Sequence, residues 1–331
     1  MVKRILVPLD GSALAERAIP VAARIVRASA GSILFLRVVS TASEFAVYMN
    51  QPSVLMQEAI EEDLATATEY LTRVTKSELL AGIEMDVGIF TGSAALQILD
   101  VARTRQVDLI VMCSHGETGI KRWVMGSVAH KVIRHSPVPV LVLRDNGDKS
   151  AALCSEELGR PLRVLATLDG SPLSETVLEP VVQLATKLVL PDQAHLNLLR
   201  VLDQPNRYGG WRSQTHIDNK MVEQARLKTE EYMSLVADRL RTSMEDIPNL
   251  VVTTSVKFEM DVPGTIIKVA EHGDEGEENI GGYDLVAMAT HGRGGIPRWA
   301  MGSATERVLD GTRLPLLVVR PYEVHPHVPG K

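Results

Sequence analysis

Asp108-Leu-Ile-Val-Met-Cys-Ser-His-Gly116, followed nine residues on by Gly126-Ser127, recurs 176 positions later as Asp284-Leu-Val-Ala-Met-Ala-Thr-His-Gly292, nine residues and Gly302-Ser303. Each copy opens on an apolar run short enough for a buried strand and leads into a segment that reads as a helix. A glycine-bearing loop between a strand end and a helix N-terminus presents backbone N–H groups and the positive end of the helix dipole, a combination that suits an anion. The repetition predicts two phosphate-binding units in tandem.

The likeness extends outward from this loop. Arg4-Ile-Leu-Val-Pro-Leu-Asp-Gly-Ser12 matches Arg163-Val-Leu-Ala-Thr-Leu-Asp-Gly-Ser171 at an offset of 159, so the second unit carries a net insertion of 17 residues. Insertions belong in surface loops, and the segments 204–219 and 271–282 can absorb it. The first unit is predicted to run strand (3–9), helix (13–28), strand (32–39), helix (56–80), strand (84–90), helix (94–105), strand (109–112), loop, helix (127–135), strand (138–143). Strands alternating with helices imply right-handed crossovers and a parallel, doubly wound sheet, here five-stranded with helices on both faces. The expected boundaries are 1–145 for the first domain, 146–161 for a polar linker, 162–321 for the second domain and 322–331 for a proline-bearing tail. Pro139 and Pro315 stand second in the last strands, which marks an edge or a strand start. Joining two such apolar edges would hide both.

A chain of 331 residues is comfortable for two domains. A net charge of −6 argues against general nucleic-acid binding, which needs a basic footprint. Two isolated cysteines, Cys113 and Cys154, make neither a disulfide framework nor a metal site, so a reducing cytoplasm is the expected location. The N-terminal apolar run stops at Asp10, too short for a signal peptide, and no stretch is long enough to span a bilayer.

In an open parallel sheet a ligand sits at the carboxyl ends of the strands. Asp10 and Asp169 each end a first strand before Gly-Ser, with the serine placed to cap the next helix. Two readings stand: a carboxylate that accepts from a ribose hydroxyl or an amine, and plain turn chemistry. Gly116, Gly126, Gly292 and Gly302 would let the backbone approach a phosphate and take positive φ where needed. Ser127 and Ser303 would add a hydroxyl and an N-cap. His115 and His291 could donate to a phosphate or bond within the loop. Lys121, Arg122, Trp123, Arg298 and Trp299 read better as exposed bases and loop packing than as phosphate ligands. Cys113, at the end of a buried strand, has nothing beside it to lower its pKa as a nucleophile.

These motifs, with the final strands 139–143 and 315–319, make nearly the whole chain resemble two consecutive domains of the universal stress protein family. The resemblance implies adenine nucleotide α-hydrolase-like, Rossmann-like domains joined as an intramolecular pseudo-dimer, or two chains pairing as a homodimer through last-strand edges. The ATP-binding branch of that family is marked by glycine, two residues, glycine, nine residues, glycine and a hydroxyl residue. This chain keeps the second and third glycines in both units and has Cys113 and Ala289 at the first. The resemblance implies ATP, with or without Mg2+, contacting Pro8, Asp10, Val38, Met112, His115, Gly116, Gly126, Ser127 and Val128. In the second unit it implies Thr167, Asp169, Val201, Met288, His291, Gly292, Arg293, Gly302, Ser303 and Ala304. Glu117 stands where the second unit has Arg293, so phosphate is expected to bind at least as tightly in the second unit.

With no Walker lysine and no evident base or metal cage, the expectation is nucleotide binding and regulation, with slow ATPase activity at most. The alternative is an interaction or chaperone-like module that binds no nucleotide, a reading the missing first glycines favour. Adenylyl-transfer or pyrophosphatase chemistry has no signature loop here and ranks last.

Overall fold

The computed structural model describes residues 2–39, 54–114, 125–144, 153, 160–189, 193–203, 219–244, 249–274, 281–291 and 301–321. The first unit contains β1 (Arg4–Pro8), α1 (Ala18–Ser29), β2 (Ser32–Val39), α2 (Val54–Thr75), β3 (Glu84–Thr91), α3 (Ala94–Thr104), β4 (Leu109–Cys113), α4 (Ser127–His135) and β5 (Val140–Leu143). The second contains β6 (Leu162–Thr167), the one-turn α5 (Pro172–Glu175), α6 (Leu178–Val189), β7 (Ala194–Asp203), α7 (Asn219–Thr242), β8 (Leu250–Glu259), α8 (Val262–His272), β9 (Leu285–Ala289), α9 (Ser303–Gly311) and β10 (Leu316–Val319).

Central strands such as β4 and β9 are buried along their whole length, the pattern of parallel strands covered on both faces. Helix α1 buries Ala18, Ile19, Val21, Ala22, Ile25 and Val26, a stripe of helical period against the sheet. It ends where Ala30 turns left-handed at φ 48°. Gly31 follows because a Cβ there would meet the Lys3 carbonyl oxygen at 2.2 Å. The expected start at residue 13 moves downstream, since residues 15–17 form a 3-10 turn before α1 begins. The long helix expected over 56–80 ends at Thr75, with a separate 3-10 turn at Glu78–Leu80. Part of the insertion lengthens strands: β7 and β8 have ten residues each where β2 and β3 have eight.

All ten strands form one sheet in the order β3-β2-β1-β4-β5-β10-β9-β6-β7-β8. Among the described residues every pairing within a unit is parallel, and only β5 with β10 is antiparallel, with Leu141 opposite Leu317. The last strands therefore start after their prolines and lie at the centre of the sheet. Pairing within the chain consumes both edges and leaves neither for a second copy. Reversal of direction at the junction sends the carboxyl ends of the two sets of strands to opposite ends of the sheet.

The apolar cores on both faces run across the junction without a break. On one face α1 packs on α6, and Lys187 Nζ donates to the Ala28 carbonyl at 3.1 Å. On the other, Arg134 pairs with Glu306 at 3.2 Å, with His130 Nε2 at 3.6 Å from the same carboxylate. His135, beside them, is held below its ordinary value of 6.5 by burial first, then by Arg320, Arg134 and Arg103. A base with a depressed folded pKa holds fewer protons folded than unfolded, so its contribution to stability is present above pH 6.5 and is lost as pH falls through that value. His135→Gln should flatten the dependence of urea midpoint on pH over about pH 7 to 5.5. Equal slopes for parent and variant would contradict this.

Candidate functional site

Each unit has a cavity at the carboxyl ends of its strands, where an open parallel sheet holds ligands. The first has about 740 Å³ of empty space, its solvent-open part included, and the second about 1080 Å³.

Strand β1 runs into the first cavity through Pro8 and ends its ladder as Leu9 N donates to the Leu36 carbonyl at 2.8 Å. Asp10 follows, and Oδ1 accepts from Ser12 N at 3.0 Å and Ser12 Oγ at 2.6 Å. Ser12 Oγ in turn accepts from Ala15 N at 3.1 Å. The second unit repeats the arrangement: Asp169 Oδ1 accepts from Ser171 N at 2.9 Å and Ser171 Oγ at 2.6 Å, and Ser171 caps α5 through Ser174 N at 3.2 Å. The turn chemistry is therefore real, and both aspartates line their cavities as well.

Gly11 and Gly170 carry φ of +90° and +81°. A Cβ on Gly170 would meet the Arg200 guanidinium at 2.6 Å, whereas on Gly11 it would meet Arg37 at 3.6 Å. Gly170→Ala should thus cost more than the strain of positive φ alone, about 1 kcal/mol. Gly11→Ala should cost only that strain. Urea unfolding of the two variants checks the order, which fails if Gly11→Ala is the worse.

The opposite wall is the glycine loop's exit. Gly126 N donates to the Ser114 carbonyl at 2.8 Å, and Gly302 N to the Thr290 carbonyl at 2.8 Å, closing the neck of each loop. Two expectations need correction here. Gly126 and Gly302 are extended, φ −62° and −61°, so neither needs left-handed freedom. Close approach explains Gly302, where a Cβ would stand 3.3 Å from the Thr290 oxygen. The glycines themselves are the N-caps, with no side-chain cap bond, and Ser127 and Ser303 fall one residue inside their helices. Ser127 and Val128, and likewise Ser303 and Ala304, bring the first N–H groups of α4 and α9 to the cavities.

Apolar walls complete both cavities. Val38 and Met112 face the first, joined by Leu36, Ala94 and Ile98, which sequence reading missed. Val201 and Met288 face the second, joined by Leu199, Val262 and Ile266. Thr167 and His291 also line the second, and His291 Nδ1 lies 2.8 Å from Thr290 Oγ1. Cys113 lines the first cavity at the position of the missing glycine, with its thiol donating to the Leu14 carbonyl at 2.9 Å. His115, Gly116, Gly292 and Arg293 lie outside the described residues, as do Glu117, Lys121, Arg122, Trp123, Arg298 and Trp299.

The cavities differ in their charged lining: the second adds Arg200 and Asp203 to Asp169, whereas among the described residues Asp10 is the charged side chain lining the first. Arg200, only 6% exposed, lines the second, while its counterpart Arg37 is not among the residues lining the first. Arg200 stacks on Tyr232 with 5.2 Å to the ring centroid. Tyr232 Oη donates to Glu175 Oε1 at 2.7 Å, and burial, then Glu175, pushes the phenol well above its ordinary range. The same kinds of group, Tyr70 with Glu16, stand behind the first turn, and Tyr70 is raised for the same reasons. The tyrosine–glutamate pair recurs in both units, 54 residues apart in the first and 57 in the second, and sequence reading missed it. Among the described residues no three metal-ligating side chains converge.

Comparison with known proteins agrees with this architecture. A universal stress protein of Mycolicibacterium smegmatis is 25% identical over 323 residues, covering 96% of this chain and 97% of its own. One from Methanocaldococcus jannaschii is 30% identical over 142 residues, 43% of this chain and 82% of its own. The crystal structure of a universal stress protein from Archaeoglobus fulgidus superposes with a TM-score of 0.63 over 97% of this chain and 99% of its own, at 17% identity. The universal stress protein family model matches residues 1–144 and again 162–320. The chain belongs to the universal stress protein family, as two family domains in tandem.

Proposed function

We propose that this protein binds adenine nucleotide, ATP first of all, in both cavities and acts in the cytoplasm as a regulator in the response to stress rather than by turnover. The observation that carries the reading is the same trio of features in each unit: an aspartate at the end of the first strand, apolar walls, and a helix N-terminus behind a glycine. The base would lie against Leu36, Val38, Ile98 and Met112, with the ribose hydroxyls donating to Asp10. Phosphates would accept from the first N–H groups of α4. Leu199, Val201, Ile266, Met288, Asp169 and α9 would serve the second unit, with Arg200 adding a cation.

Heat-released nucleotide from purified protein, identified by mass spectrometry, together with equilibrium dialysis against labelled ATP, tests the reading. Bound adenine nucleotide or saturable uptake near two per chain is expected. No binding at about millimolar ATP would remove it and leave the interaction or chaperone-like module.

A further inference from the structure

The pseudo-two-fold symmetry of the junction is broken at one place that lies apart from both nucleotide cavities. Asp108 and Asp284 occupy equivalent positions before β4 and β9. Asp284, 1% exposed in its side chain, is held by both guanidinium nitrogens of Arg160 at 2.8 and 2.6 Å and accepts from Arg163 N at 2.9 Å. The linker residue Leu153 is fully buried, its carbonyl accepting from Arg24 Nη1 at 3.4 Å. On the Asp108 side the corresponding place is a cavity of about 620 Å³, its open part included. The buried side chains of Leu109, Leu184 and Leu317 line it, and Gln183, the counterpart of Arg24, lines it too. Its polar boundary is acidic, from Asp108 and Glu179. Asp108 accepts only from the backbone N–H groups of Lys3 and Arg4, at 2.8 and 2.9 Å, and no side-chain cation reaches it among the described residues.

We propose that this cavity is a docking site for a peptide that carries an aliphatic side chain and, about seven residues on, an arginine. The chain's own linker defines that chemistry, because Leu153 meets Arg24 and Arg160 meets Asp284, the counterparts of the cavity residues Gln183 and Asp108. The aliphatic side chain enters between Leu184 and Leu317, and the arginine forks onto Asp108 as Arg160 does onto Asp284. Charge complementarity selects a cationic partner over an acidic one.

The probe is a fluorescein-labelled peptide of residues 150–161, with Cys154→Ser to remove thiol chemistry, added to the full chain and followed by anisotropy. Saturable binding is expected, weakened roughly tenfold or more by Asp108→Asn in the protein, and by Leu153→Asp or Arg160→Ala in the peptide. The peptide variants leave the protein untouched, so they keep the test valid if Asp108→Asn lowers stability. Absence of saturation up to about 1 mM peptide overturns the proposal. So does binding that depends on Asp284 and not on Asp108, which would mean exchange with the linker. Deletion of 322–331 with a large gain in peptide affinity also overturns it, since that segment would then be the occupant.

Discussion

Leu141→Asp should leave the chain largely unfolded at ambient temperature. Leu141 is fully buried in β5, in register with Val111 on one side and Leu317 on the other, at the seam where the two units become one sheet. A carboxylate there would be buried among apolar side chains, and an uncompensated buried charge costs about 3–5 kcal/mol. Loss of the leucine adds roughly 2 kcal/mol of apolar burial. Together these rival the whole stability of many proteins, about 5–15 kcal/mol. Because both cores cross the seam, damage should spread to both units and appear as one cooperative loss. Urea unfolding by circular dichroism, with sedimentation to detect aggregates, checks this. Leu96→Asp, at a side chain 67% exposed, should stay within about 0.5 kcal/mol of the parent. A Leu141→Asp protein as stable as Leu96→Asp would mean that the seam is not buried as described.

Asp169→Ala should abolish the tighter phase of ATP binding, while Asp10→Ala removes only the weaker one. A hydrogen bond to a charged acceptor is worth about 1.5–3 kcal/mol, or roughly 10- to 150-fold in affinity. The order of the two phases follows from charge. Arg200 brings a buried cation to the second cavity, where the added carboxylate of Asp203 is exposed to solvent, and the loop there carries Arg293 where the first has Glu117. Cys113 also fills space in the first cavity that Ala289 leaves in the second. Isothermal titration of both variants separates the contributions. Equal losses, or a larger one for Asp10→Ala, would sink the ranking. Each aspartate also ties down its following serine, so the asparagine variants, which keep an acceptor for the turn, distinguish lost ligand contact from a loosened turn.

The architecture was legible because apolar strands and the two offset motifs repeat in order, and a buried parallel strand announces itself as an unbroken apolar run. Pro139 and Pro315 even marked the strands that would meet. What escaped was the exact start of helices, because Ala13-Leu14 suits a helix by propensity while the Asp10-Ser12 turn holds the backbone in another geometry. The linker was read as merely polar, and one buried leucine within it carries no periodic signature. Arg200 was missed for a similar reason: an arginine within an apolar strand looks like a solvent-facing break until Tyr232 and Gly170 are seen to enclose it.

The antiparallel seam between β5 and β10 has a consequence for how the sites can change. In a symmetric dimer of identical chains every substitution appears twice, so the two pockets are bound to remain copies. Covalent pairing across one seam fixes the ratio of the units at one to one and removes that constraint. One pocket is then at liberty to acquire Cys113 while the other keeps Ala289 and a buried arginine, so a single molecule carries two unlike cavities.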